Sequence, residues 1–123
     1  MNGNKILLDT NAVLYLLNGD ETLAVFLAGQ EICISVITEI ELLSFRKITE
    51  AERKKLVHFI SLIQVLPLND QVKNHAIEIR KTSQLKIPDS IIAGTSTAFQ
   101  IPVLSSDKQL KTVKEIQLVF YDR

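Results

Sequence analysis

Short aliphatic runs alternate along this chain with longer stretches in which apolar positions recur every three or four residues. The runs Lys5 to Leu8, Glu31 to Ser35, Gln64 to Leu68, Pro102 to Ser105 and Ile116 to Tyr121 are of strand length and rich in Ile, Leu and Val. The stretches between them read as helices. Ala12 to Asn18 and Glu21 to Ala28 carry more apolar residues than one sheet-facing stripe requires, and Val36 to Lys47 follows. Thr49 and Glu52 form a capping-box pattern ahead of a helix over Glu50 to Ile63, which sets Leu56, Phe59, Ile60 and Ile63 on one face. Asn69 and Asp70 suit the start of a helix bearing Val72, Ala76, Ile79 and Ser83 on one side, and Pro88 suits the first turn of another reaching Ala98. Alternating strand and helix predicts an α/β fold with a central, mostly parallel sheet flanked by helices, because parallel neighbours need crossover connections. Right-handed crossovers bring the ends of the strands to one edge of that sheet. No repeat, low-complexity tract or linker interrupts the pattern, so residues 1–123 are expected to form one domain.

Composition narrows the class. The chain is 46% hydrophobic and 23% charged, and no apolar run approaches the roughly 18 residues of a membrane span, so a soluble protein is expected. A chain of this size buries roughly two-thirds of its unfolded surface and needs no staple. The N-terminal residues show neither the apolar region nor the cleavage site of a secretory signal, and Cys33 is the only cysteine, which together predict a cytoplasmic address. Fourteen Lys and Arg balance fourteen Asp and Glu. Any contact with nucleic acid must therefore be local or run through a metal.

The candidate chemistry lies in four carboxylates. Asp9 ends the first apolar run, at the place where ligands bind in open α/β sheets, outside the carboxyl end of a strand. Glu41 is expected to share a helix face with Ile37 and Phe45, where a carboxylate is costly unless its charge is compensated. Asp89 follows Pro88 at a helix start, and Asp107 follows the run ending at Ser105. Singly, each is explained by a turn, a helix cap or a favourable helix dipole. Together they fall where the fold can assemble them. Two carboxylates about 4 Å apart repel by roughly 4 kcal/mol at an effective dielectric near 20, so such a cluster takes up protons or binds a cation. All-oxygen ligation suits Mg²⁺ or Mn²⁺ rather than zinc. Glu39 points elsewhere and reads as a solvated or capping residue.

These segments resemble the PIN-domain nucleases, and within them the VapC-type toxins of bacterial toxin–antitoxin pairs. The resemblance runs through Ile6-Leu7-Leu8-Asp9-Thr10-Asn11, Ser35-Val36-Ile37-Thr38-Glu39-Ile40-Glu41-Leu42, Ile87-Pro88-Asp89-Ser90-Ile91-Ile92-Ala93 and Val103-Leu104-Ser105-Ser106-Asp107, in the family's order and across the chain. It implies a PIN-like three-layer fold in which Asp9, Glu41, Asp89 and Asp107 are the catalytic, metal-binding acids, supported by Asn11 and Ser105. It further implies an Mg²⁺- or Mn²⁺-dependent endoribonuclease acting on RNA, a homodimer, and a cognate antitoxin as inhibitory partner. Ser44 stands where glycine is frequent after the Glu-Leu pair, and Ser105 where threonine is common; neither change removes a ligand.

Other features carry less. His58 and His75 lack paired metal-ligand spacing, Cys33 reads as a small core hydrophobe, and Arg53-Lys54-Lys55 and Arg80-Lys81 as solvated helix faces. Lys108 and Lys111 stand nearer the proposed edge and are better candidates for RNA phosphate. No P-loop, GxGxxG or Ser/His/Asp arrangement is present. Two alternatives compete with the nuclease: a PIN scaffold kept only for protein binding, and a phosphoacceptor receiver domain. The latter fits poorly, because Thr10 rather than a second acid follows Asp9.

Overall fold

The computed structural model describes residues 4–123, and the opening segment through Gly3, on which part of the expectation about a secretory signal rests, lies outside them. The elements run β1 (Lys5–Leu8), α1 (Thr10–Leu17), α2 (Glu21–Leu27), β2 (Glu31–Ser35), α3 (Val36–Leu43), α4 (Glu50–Ser61), β3 (Gln64–Leu66), α5 (Asp70–Thr82), α6 (Ile87–Phe99), β4 (Val103–Ser105) and β5 (Leu118–Phe120). A 3₁₀ turn over Lys108–Thr112 joins the last two strands. The five strands form one sheet in the order β3-β2-β1-β4-β5, and every pairing is parallel.

That order has a functional consequence. The chain moves outward from β1 through β2 to β3, then returns to lay β4 on the other side of β1. The strand order thus reverses between β1 and β4, where Leu7 pairs with Val103 and Leu8 with Leu104. A crevice opens beyond the carboxyl ends of strands at such a reversal, and ligands of open α/β sheets bind there.

The strands read as continuous apolar runs because both sheet faces are covered. Ile6, Leu8, Ile34 and Leu104 pack on one face with Val13, Leu23, Leu27, Leu42 and Leu56 from α1 to α4. Leu7, Cys33, Leu66 and Val103 point to the other face and meet Ile92 of α6 and Ile101. Ile79 of α5 and Ala93 of α6 extend that side towards Leu110 and Val113. The result is a three-layer α/β fold. Helices α5 and α6 approach very closely: a Cβ on Gly94 would stand 2.8 Å from the carbonyl oxygen of Val72 and 3.0 Å from the amide nitrogen of Ala76.

Local chemistry sets the boundaries. The capping box forms as expected, with Thr49 Oγ1 accepting from the Glu52 amide at 3.1 Å and Glu52 Oε1 accepting from the Thr49 amide at 2.9 Å. β3 stops at Leu66 because Pro67 offers no amide donor to a ladder. One expectation is corrected. α3 ends at Leu43 with Ser44 as its C-cap, not at Lys47, so Phe45 lies beyond the helix and is 63% exposed. The buried stripe of α3 is Thr38 and Leu42, and Glu41 is exposed beside it rather than held between Ile37 and Phe45.

Candidate active site

Asp9 occupies the reversal point. It is 7% exposed, ends β1 and caps α1, with Oδ1 accepting from the Ala12 amide at 2.8 Å. Its Oδ2 accepts a short hydrogen bond from the hydroxyl of Ser105, the fully buried last residue of β4. Ser105 Oγ in turn accepts from the Asp107 amide at 2.9 Å. One hydroxyl therefore ties the carboxylate of the first strand to the loop of the fourth. Asp107 Oδ1 accepts from the Gln109 amide at 2.9 Å and so caps the 3₁₀ turn.

Glu41 arrives from α3, where Oε1 accepts from Thr10 Oγ1 at 2.6 Å. Thr10 Oγ1 also lies 3.2 Å from the hydroxyl of the buried Thr38. Asp89 sits half-buried in the first turn of α6, whose start contains Pro88. Asn11 is exposed on the first turn of α1 and has no side-chain bond to any of the four acids. His58 and His75 are exposed on α4 and α5, and Cys33 is buried, where desolvation pushes its thiol up.

The acids act on one another. Burial pushes the Asp9 carboxyl above its ordinary value; hydrogen bonds from Ser105 and Ala12 oppose this, while the charges of Asp107 and Glu41 add to it. Burial likewise raises Asp89, and the charges of Asp107, Glu41 and Asp9 raise it further against a small opposing effect of Lys86. Four carboxylates from four elements thus share one field at one edge of the sheet. Among the described residues no three acidic, histidine or cysteine side chains close around one point as a finished cage. The donors are all oxygen, and their excess negative charge suits a hard divalent cation. Mg²⁺ in particular keeps several waters beside one or two carboxylates and needs no all-protein cage.

The PIN domain family profile matches residues 6–116, which spans β1 to the approach to β5. The chain belongs to the PIN-domain family. No curated protein sequence matches it. This PIN domain superposes on a chain of VapBC2 from Rickettsia felis, solved bound to a DNA fragment from their promoter, with a TM-score of 0.81 and 22% identity over 96% of this chain and 99% of that one. A toxin–antitoxin complex from Klebsiella pneumoniae gives a TM-score of 0.83 at 20% identity, covering 96% and 99%. FitAcB from Neisseria gonorrhoeae gives 0.78 at 21%, covering 94% and 96%. At these identities the likeness establishes the fold.

Two features of this PIN domain are not legible in its sequence. The Thr10–Glu41 bond joins residues 31 apart, and nothing local to Thr10 announces it. Tyr121 also braces the site from the far end of the chain. Its amide donates to Ser105 O at 2.8 Å, its carbonyl accepts from Ser106 Oγ at 2.6 Å, and its hydroxyl lies 2.8 Å from both oxygens of Asp20, the cap of α2.

Proposed function

We propose that this PIN domain is a metal-dependent endoribonuclease and the toxin of a toxin–antitoxin pair. The observation that carries the reading is the meeting of Asp9, Glu41, Asp89 and Asp107 at the strand-order reversal, where Asp9 and Asp89 are both driven towards their protonated forms by burial and by the other acids. The four would hold one or two Mg²⁺ or Mn²⁺ ions. A bound ion of this kind supplies an activated water and neutralises charge on a phosphodiester. The chain's own contribution is orientation. Ser105 and the Ala12 amide fix both oxygens of Asp9, and Thr10 fixes Glu41. In this reading a metal-activated water, rather than a side chain, would be the attacking group. The whole of residues 1–123 is taken as one nuclease domain.

The receiver alternative loses ground on topology, since its doubly wound sheet has the order 2-1-3-4-5 and this one is β3-β2-β1-β4-β5. The neighbours solved as VapBC and toxin–antitoxin complexes support an antitoxin partner. An apolar groove of about 420 Å³ between α1, α3 and α4 offers such a partner Leu14, Leu17, Phe45 and Leu56, and it runs up to Thr10 and Glu41. A tail folding into it would reach the acidic site. A homodimer fits the exposed apolar residues Val25 and Phe26 of α2. A cytoplasmic address follows from the proposed partnership; no described helix is long and apolar enough to cross a membrane.

The deciding experiment is cleavage of single-stranded RNA by the purified protein with Mg²⁺ or Mn²⁺, with EDTA, and by Asp9→Asn. Cleavage that survives EDTA, or that a folded Asp9→Asn protein retains in full, removes the reading. Growth arrest on expression that depends on Asp9 and is relieved by an adjacent small reading frame tests the toxin role.

A further inference from the structure

A buried hydroxyl is costly unless it is hydrogen-bonded, so its partner shows what it serves. Ser90, Thr95 and Ser96 donate to backbone carbonyls, those of Ile87, Ile91 and Ile101, and Ser35 Oγ accepts from the Ile37 amide at the start of α3. Bonds of this kind serve the local backbone. Among the described residues, two buried hydroxyls instead bond another side chain. One is Ser105, which holds Asp9. The other is Thr38.

Thr38 is fully buried in α3, where valine would fill the same space without a polar group to satisfy. Its hydroxyl does not turn back on its own helix, as those of Thr95 and Thr97 do on α6. Its partner is Thr10 Oγ1, at the first residue of α1 and 3.2 Å away, and Thr10 Oγ1 lies 2.6 Å from Glu41 Oε1. A hydroxyl has one proton to give. The nearer, charged acceptor takes that of Thr10, because hydrogen bonds to a carboxylate are shorter and stronger than neutral ones. The proton between the two hydroxyls is therefore that of Thr38. The three groups form a chain with one direction, Thr38 to Thr10 to Glu41, running from the core to the rim of the site, and each donor in such a chain strengthens the next. Thr38 occupies the lone-pair side of Thr10 and keeps the Thr10 proton aimed at Glu41, an exposed side chain that otherwise has several rotamers open to it.

We propose that Thr38 is a positioning residue of the candidate active site: through Thr10 it anchors Oε1 of Glu41, leaving Oε2 free to ligate a divalent cation. This rests on the nuclease reading, in which Glu41 is a metal ligand. A ligand already anchored loses less conformational freedom when the cation binds, so the relay should appear in metal affinity rather than in folding stability.

The test measures Mn²⁺ binding to the full chain by the loss of the free-ion EPR signal, with the melting temperature of each variant in EDTA recorded beside it. Removing a group bonded directly to a metal ligand typically costs about 10- to 100-fold in affinity. Thr38 stands one bond further away, so Thr38→Val should weaken Mn²⁺ binding roughly three- to tenfold. Thr38→Ser keeps the hydroxyl and should bind as the unaltered protein does. Thr38→Ala, which sets no second methyl against Thr10, should show the same loss even if valine prevents folding. Thr95→Val, the same change at a buried threonine that bonds its own helix, should leave the affinity unchanged. In a Glu41→Ala background Thr38→Val should have no further effect, because the relay then ends on nothing. An unchanged affinity in both Thr38→Val and Thr38→Ala, an equal loss in Thr95→Val, or a loss that persists without Glu41 overturns the role of Thr38 while leaving the nuclease standing. No Mn²⁺ bound by the unaltered protein overturns both.

Discussion

Asp9→Asn and Asp9→Ala together separate what Asp9 does for the fold from what it does for the reaction. Asp9 gives one oxygen to the Ala12 amide as the cap of α1 and the other to the Ser105 hydroxyl. Asparagine keeps the capping oxygen, and its amide group can donate to Ser105 Oγ once that hydroxyl turns, because a hydroxyl accepts two hydrogen bonds and Ser105 already accepts only one, from the Asp107 amide. The substitution also removes a carboxylate whose ionised form is disfavoured by burial and by two neighbouring acids. Metal-free Asp9→Asn is therefore expected to unfold at the same temperature as the unaltered protein or slightly higher. Alanine loses the cap, worth about 1 kcal/mol, and leaves Ser105 without its acceptor, worth about 1 kcal/mol more. For a chain of this size that sum lowers the melting temperature by roughly 8 °C. Cleavage should fall at least about 100-fold in both variants, some 2.7 kcal/mol of barrier, because both remove a metal-ligand charge. Differential scanning calorimetry in EDTA and cleavage in Mg²⁺ give the two readouts. An Asp9→Asn protein as destabilised as Asp9→Ala would refute the separation, and one that is stable and fully active would refute the metal role.

The remaining predictions concern the other acids, pH and the helix pair. Glu41→Gln should lose most cleavage, whereas Glu39→Gln, in the first turn of α3, should be nearly silent; an equal loss would assign the role to the wrong glutamate. Asp89 is raised above the ordinary carboxylate range, so between its unfolded and folded values the folded state holds more protons than the unfolded one, and stability falls as pH rises through that window. Urea unfolding in EDTA should accordingly show the stability of the unaltered protein, relative to Asp89→Asn, declining as pH rises above the ordinary aspartate range and levelling once the raised folded-state value is passed; a relative increase would reverse the sign. Added Mg²⁺ at 100 times its Kd should restore about 2.7 kcal/mol. Gly94→Ala gains about 1 kcal/mol of helix propensity but forces α5 and α6 apart against backbone atoms of Val72 and Ala76, so a net loss of roughly 1–2 kcal/mol is expected in urea unfolding. An unchanged midpoint would mean that the helices yield freely.

The central strands are legible in the sequence because β1, β2 and β4 are largely buried on both faces, so each appears as a mainly aliphatic run. The expected Lys5 to Leu8 and Glu31 to Ser35 are the observed β1 and β2. Helix ends were less legible. Nothing in Ser44-Phe45-Arg46-Lys47 forbids another turn, and only the exposure of Phe45 in the folded chain shows that continuing α3 would have brought no burial. The four acids could be named from their places at strand exits and helix starts. Ser105 could be named as a support through the family resemblance, but Thr10 and Tyr121 could not, because they reach partners 31 and 101 residues away.

The structural and the chemical explanations of these acids are not rivals. Asp9 is a helix cap, Asp107 caps a 3₁₀ turn, and Asp89 is a first-turn acid, as their local sequence suggests. In a parallel sheet the helix that follows a strand starts at the carboxyl edge, so residues placed to cap such helices are also placed around the crevice. Capping orients a carboxylate by engaging one oxygen: Ala12 holds Oδ1 of Asp9 and Gln109 holds Oδ1 of Asp107. Ser105 then draws Asp9 and the Asp107 backbone towards each other across the reversal point. Capping energy thereby holds in place a set of like charges that repulsion alone would scatter, and a divalent cation binding there would meet ligands already oriented.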